Sequence, residues 1–297
     1  MQPRGKGTFL INYWPALIIT ALLAYTYLDT FHWMTGRWLA ADSYYSHGFV
    51  VPFISAYLVW KKRNYINGES QVDSRGTVVG LALLFSGIGL HGAGLVFKIS
   101  FISGLSLLPL LLGMVLYIYG WQAGRRLLFP ILFLLAMIPL PLSLIADLSL
   151  KLKLFAAEVA VRVVSFIGIA VLREGSSIHF SDSFLVVGDV CSGLRSLIAL
   201  LAFGALFAYV SGLSTPLRAI LFIASVPIAL VANSVRIIVL CLIAKQWGSE
   251  VATGRVHDAT GILIFIVAFI LFFSLERRLH ALEQTLFKMR KGAVAEP

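Results

Sequence analysis

Eight stretches of this 297-residue chain, each about twenty residues long and poor in charge, decide what it can fold into. They run at about 9 to 28, 44 to 60, 77 to 97, 100 to 120, 126 to 143, 192 to 211, 217 to 240 and 258 to 275. A helix needs roughly 20 mostly apolar residues to cross a bilayer, and inside hydrocarbon a helix satisfies its own backbone groups. With 59% hydrophobic and 13% charged residues and a mean hydropathy of +0.90, the chain is too apolar for a soluble domain. The expected fold is therefore all-α, a polytopic membrane bundle of about eight transmembrane helices. Arg4 and Lys6 precede the first stretch and no small-residue cleavage site follows, so it reads as a retained span.

The formal charge of +10 does not point to nucleic acid, because the basic residues sit in short clusters beside the apolar runs. These clusters are Arg4/Lys6, Lys61/Lys62/Arg63, Arg125/Arg126, Arg218, and Arg277/Arg278 with the tail from Lys288 to Lys291. Eight spans with both termini inside put every cluster in the cytoplasm, and the opposite orientation puts them all outside. That bias predicts a multi-pass protein of the bacterial cytoplasmic (inner) membrane, with residues 1–278 as the membrane domain and 279–297 as a charged cytoplasmic tail.

Two segments then face outward, Asp29 to Tyr45 and about Ser143 to Val190. Within the second, Leu148 to Leu172 is interrupted at helical spacing by Lys151, Lys153, Glu158 and Arg162, which predicts an amphipathic helix lying in the outer interface. Pro139 and Pro141 close the fifth span. Ser176 to Val190 alternates apolar and polar residues and reads as a short β-hairpin or an extended strap leading into Cys191.

On this topology Cys191, Arg236 and His257 stand at one outer level. An arginine within an apolar run costs on the order of 2.5 to 3.5 kcal/mol or more, so Arg236 needs a partner or a polar cleft, with snorkelling to the headgroups as the plain alternative. Asn233, one turn earlier, favours the cleft. Cys191 sits at a helix N-terminus in GDVCSGLRSL, where the helix dipole and Arg195 favour the thiolate; Ser192 and Gly193 follow it directly. A lone membrane cysteine is otherwise an inert small hydrophobe, and Cys241, amid IIVLCLIA, keeps that reading. His257, followed by Asp258 at the mouth of the last span, supplies an imidazole for general acid and base work, unless it is simply structural. An arginine beside such a pair stabilises the oxyanion of acyl transfer. Neither cysteine has a metal-ligand partner at useful spacing, and no metal or cofactor is expected.

The motifs VCSGLRSL, ANSVRI and HDATG around these three residues resemble the exosortase and archaeosortase family of membrane transpeptidases. The resemblance extends to DSYYSHGFVVPFISAYLVW, FPILFLLAMIPLP and REGSSI. It implies that Cys191 is the nucleophile, His257 the acid and base and Arg236 the oxyanion stabiliser. It also draws in His47, from YSHG, as a secondary residue for substrate positioning or proton transfer. The implied substrates are exported proteins ending in a short Pro-Glu-Pro motif, one apolar span and a basic tail, cut at the outer face and passed to an unknown acceptor. Exopolysaccharide production is the implied setting, membrane lipid is an expected partner and nucleic acid is not. Two alternatives remain at the level of sequence: intramembrane cysteine proteolysis without ligation, and a transporter or polysaccharide-export component lined by Arg236 and Asn233. A thiol oxidoreductase would need Cys191 and Cys241 to meet.

Overall fold

The computed structural model describes residues 21–41, 43–63, 73–181, 183–188, 192–253 and 255–294, with side chains of 253–259 and 289–294 outside the description. The chain divides into two compact units, residues 1–40 with 48–139, and residues 41–47 with 140–297.

The first unit is helical: α1 (Leu28–Leu39), α2 (Val51–Lys61), α3 (Ser74–Val96) and α4 (Ser100–Phe133), followed by a 3-10 turn at Leu134–Met137. Its core is the pairing of α3 with the first half of α4, which run antiparallel with glycines at the seam. A Cβ placed on Gly80 would lie 2.8 Å from the Tyr117 backbone nitrogen, and one on Gly113 2.8 Å from that of Leu84. Small residues let helix backbones approach this closely, which is how helices gain packing energy where water supplies no hydrophobic drive.

At Gly120 the α4 backbone leaves helical geometry at φ 79°, ψ 178°. Beyond it Gly124 packs on the Leu116 side chain. Eight residues of unbroken helix would separate those positions by about 12 Å, so the chain turns back at Gly120.

Polar side chains tie α1 into this pair. Tyr27 and Ser106 hydroxyls lie 2.6 Å apart, as do those of Thr30 and Ser103, and Ser106 donates to the Ser103 carbonyl at 2.6 Å. Since Ser106 spends its one hydroxyl proton there, Tyr27 is the donor to Ser106. His91 Nδ1 meets Ser103 Oγ at 2.8 Å, and its ring stacks on Tyr27 with centroids 4.0 Å apart. Trp38 Nε1 donates to the Met137 carbonyl and Ser55 Oγ to that of Pro130, at 2.8 and 2.6 Å.

In the second unit, α5 (Leu142–Phe166) is the amphipathic helix expected over 148 to 172. It buries Ala156, Ala157, Ala160 and Val164 against Ile237, Leu240, Cys241 and Ala244 of α8 (Ser225–Trp247). Asp147 pairs with Lys151 along the helix, and Glu158 with Arg162 and with Arg173 beyond its end, at 2.8 to 2.9 Å. One apolar face is thus matched to protein, while Leu150, Phe155 and Phe166 stay exposed. Next comes an antiparallel three-stranded sheet, β1 (Leu172–Glu174), β2 (Ser177–His179) and β3 (Phe184–Val186), in the order β1-β2-β3. The hairpin read from residues 176 to 190 is β2 with β3; β1, turning at Gly175 (φ +60°), is an addition to that reading.

Helices α6 (Leu194–Val210), α7 (Thr215–Ile223), α8, the short α9 (Ser249–Thr253) and the long α10 (Arg255–Val294) complete the unit. Leu200, Leu217, Leu221, Ile228, Ala232, Ile264, Ala268 and Phe272 form a core shared by α6, α7, α8 and α10. The boundary expected at residue 278 falls inside α10.

Among the described residues, Ser74–Val96, Ser100–Met137 and Thr215–Trp247 are long and apolar enough to cross a membrane, and Leu194–Val210 is a shorter apolar helix. The chain is a helical membrane protein, and the described helices do not confirm the expected eight spans. The stretch at 44 to 60 contributes only the 11 residues of α2. Pro52 starts that helix, and the segment before it is held in turns, where the Leu140 N–H donates to the Tyr45 hydroxyl at 3.1 Å. The stretches at 100 to 120 and 126 to 143 lie on either side of the turn at Gly120, as two helical segments of α4. Most of the stretch at 9 to 28 lies outside the described residues, and that at 258 to 275 lies within α10.

Candidate functional site

The site begins where the strap from β3 enters α6. Gly193, the residue before the first turn, has φ +77°, a left-handed conformation that costs a residue bearing a Cβ roughly 1–2 kcal/mol. The seat is also too close for a side chain, because a Cβ there would meet Asn233 Cγ at 2.5 Å and Nδ2 at 2.6 Å. Ser192 is buried and its Oγ accepts the Leu194 N–H at 3.3 Å; Ser196 Oγ donates to the Gly193 carbonyl at 2.9 Å. These bonds define the turn that follows Cys191. Cys191 itself lies outside the described residues. Arg195 is half-buried in the first turn of α6.

Asn233 and Arg236 are one turn apart on α8 and 4% and 5% exposed, so α8 carries a polar pair inside packed protein. Arg236 donates Nε–H to Thr260 Oγ1 at 3.2 Å. Thr260 is 7% exposed, on α10, three residues after His257. His257 and Asp258 fall on the first turn of α10, with their side chains outside the description. Consecutive contacts therefore run from the turn after Cys191 (Gly193) through Asn233 and Arg236 to the helix turn that holds His257 (Thr260). A buried guanidinium in an apolar helix is costly without hydrogen-bond acceptors, and the Thr260 hydroxyl is one that α10 provides.

His47 belongs to the same unit as these residues, half-buried, with its ring stacked on Tyr45 at 6.0 Å between centroids. Cys241 is a fully buried free thiol in the α5–α8 core. Among the described residues no three His, Cys, Asp or Glu side chains form a group able to hold a metal. Sequence reasoning missed Thr260 and the tight Gly193–Asn233 seat. The signal for Thr260 was its spacing, one turn after His257 and thus on the same helix face.

Residues 33–274 match the family model described as transmembrane exosortase. The chain belongs to the transmembrane exosortase family. The match spans all three contact points of the site, Gly193, Arg236 and Thr260, and begins within α1. No curated protein and no solved structure matches this exosortase.

Proposed function

We propose that this exosortase is a membrane cysteine transpeptidase that cleaves the C-terminal sorting signal of exported proteins and transfers them to an acceptor. Membership of a family of generally cysteine-dependent transpeptidases supports the class of reaction. The observation that carries the residue assignment is the buried Arg236 in contact with Thr260, one turn from an Asn233 that touches Gly193.

In this reading the Cys191 thiol gives its proton to His257 and the thiolate attacks the scissile carbonyl. The negative charge on the tetrahedral oxygen faces the Arg236 guanidinium. Collapse of that intermediate breaks the C–N bond, and His257 returns the proton to the departing amine, leaving an acyl-thioester on Cys191. A nucleophile from the acceptor then attacks the thioester, loses its proton to His257 and restores the thiol. His47, Arg195, Ser192 and Asp258 are proposed to position the substrate or the acid–base group. The enzyme is proposed to sit in the cytoplasmic membrane with both termini inside and this site facing outward, as the distribution of Lys and Arg favours. Its proposed substrates are exported proteins carrying a Pro-Glu-Pro motif, an apolar span and a basic tail.

The test is to express Cys191→Ala beside an exported protein with such a tail and follow its processing. Loss of processing is expected, and unchanged processing removes the nucleophile assignment. Intact mass of the new C-terminus separates transfer from hydrolysis: added mass supports transfer, and a free carboxylate replaces it with proteolysis.

A further inference from the structure

One edge of β3 carries backbone groups that the sheet does not use. Val187 N–H donates to the Ser176 carbonyl at 3.0 Å and Phe180 N–H to that of Ser183 at 2.8 Å. With Ser177 opposite Val186, Ile178 opposite Leu185 and His179 opposite Phe184, these bonds set the alternation of the β2–β3 ladder. Bonded and non-bonded pairs alternate in an antiparallel ladder, so Leu185 bonds to β2, while Phe184 and Val186 turn N–H and C=O away from it. No backbone hydrogen bond among the described residues takes up those four groups.

The two faces of the strand differ. Leu185, with Ile178 and Val187, packs into the core formed by Ile237, Leu240 and Ala244 of α8 and Ala252 of α9. Phe184 and Val186 are 52% and 48% exposed. An exposed strand edge with unused donors and acceptors is a template for another strand, and proteins protect such edges unless they serve a purpose. This one belongs to a strand that packs on the stretch of α8 carrying Arg236. Ile237, against which β3 packs, is the neighbour of Arg236 in the chain, and Cys191 follows Val186 by five residues. At about 3.3–3.6 Å per residue, the two Cα atoms are at most roughly 18 Å apart.

We propose that this outer edge of β3, unused among the described residues, is the docking strand for an extended segment of the substrate's tail, which adds to the sheet five residues before Cys191 in the chain. This rests on the reading that the substrate is a protein tail. Backbone bonds from Phe184 and Val186 hold the peptide, and their side chains contact every second residue of it, the division of labour of strand addition. On the proposed substrate, a Pro-Glu-Pro stretch presents its glutamate N–H and C=O to β3, and its prolines, which have no N–H, fall on the outward positions where none is required.

A photo-crosslinking phenylalanine analogue at 184, at 186, or at 172 on the opposite sheet edge, in a chain carrying Cys191→Ala, tests this directly. Position 184 or 186 is expected to capture the tailed exported protein several-fold more than 172. Equal capture from 172, or none from 184 and 186, overturns the proposal. Val186→Pro removes one outward N–H without touching the ladder to β2, and is expected to raise KM about three- to tenfold with kcat nearly unchanged. Val186→Thr keeps the N–H and is expected to hold KM well below that of Val186→Pro. A folded Val186→Pro enzyme with unaltered KM also overturns the proposal. If Cys191→Ala still processes the tail, the functional reading falls, and the crosslinks still decide the docking edge.

Discussion

Arg236 on α8 and Thr260 on α10 are joined by a 3.2 Å hydrogen bond from the guanidinium Nε, with both side chains buried. The bond fixes the plane of the guanidinium and ties its position to the helix turn that carries His257. A hydrogen bond to a charged group is worth about 1.5–3 kcal/mol, a factor of roughly 10 to 100 where the bond serves the transition state. Thr260→Val is expected to lower the kcat for tail processing by about that factor while protein yield and KM hold. Thr260→Ser, which keeps the hydroxyl, is expected to restore most of it. A valine variant with parental kcat would show that the bond has no part in the reaction.

The Gly193 seat makes a second, sharper case. Alanine there meets a left-handed backbone and the Asn233 amide at 2.5 Å together. Gly193→Ala is expected to abolish processing and to lower the melting temperature of the detergent-solubilised protein. Shortening the obstructing side chain in Gly193→Ala/Asn233→Ala relieves the clash with Cγ and Nδ2 but not the backbone strain, so only part of the melting temperature should return. Full recovery would mean that strain at Gly193 is negligible, and no loss in the single variant would refute the close approach.

Membrane character was legible in sequence, as was Arg236 as a polar group in apolar surroundings, because both depend on hydropathy. Arg236 stands out in VPIALVANSVRIIVLCLIA for that reason, as does the charge-interrupted run that became α5. The number of crossings was less legible. The break at Gly120 falls where the apolar stretches divide, but hydropathy windows do not register that α2 begins only after the turns at 44 to 50. Glycine is nearly neutral on such scales, so the α3–α4 seam, where backbone contact is the stabilising interaction, leaves no apolar signature. Thr260 was overlooked because a threonine near a span end is unremarkable until a neighbouring helix supplies the group it bonds.

That seam yields a prediction with an internal control. At Gly80 a methyl group would press on the Tyr117 backbone nitrogen at 2.8 Å and on the Gly113 carbonyl oxygen at 3.0 Å, neither of which can move without separating the helices. At Gly89, on the same helix, nothing lies within 4 Å. Gly80→Ala is expected to destabilise by roughly 1–3 kcal/mol, the usual cost of overpacking, and Gly89→Ala to be neutral or slightly stabilising. Unfolding in mixed micelles with increasing SDS measures both. Equal stabilities would show that α3 and α4 are not in backbone contact.

The loop between α6 and α7 is held by the far part of α10, and this contact is expected to depend on pH. His280 Nε2–H donates to the Ser211 carbonyl at 3.1 Å, Glu283 Oε1 accepts the Ser214 N–H at 3.0 Å, and Arg218 donates to the Leu213 carbonyl. Hydrogen bonds from the Ser214 side chain and backbone hold the Glu283 carboxyl below the usual glutamate range, with His280 and Arg218 adding in the same direction. A depressed carboxyl binds fewer protons in the folded than in the unfolded chain, so its contribution is present above the ordinary glutamate value of about 4.3 and is lost as pH falls through the lower, folded value. The Ser214 amide should therefore keep its hydrogen-exchange protection, corrected for intrinsic rate, from neutral pH down past the point where ordinary glutamates are half protonated, and lose it only below. Glu283→Ala should remove that protection at neutral pH as well. Protection that fades already at the ordinary glutamate value, or that survives in the alanine variant, would mean that Glu283 does not anchor the loop.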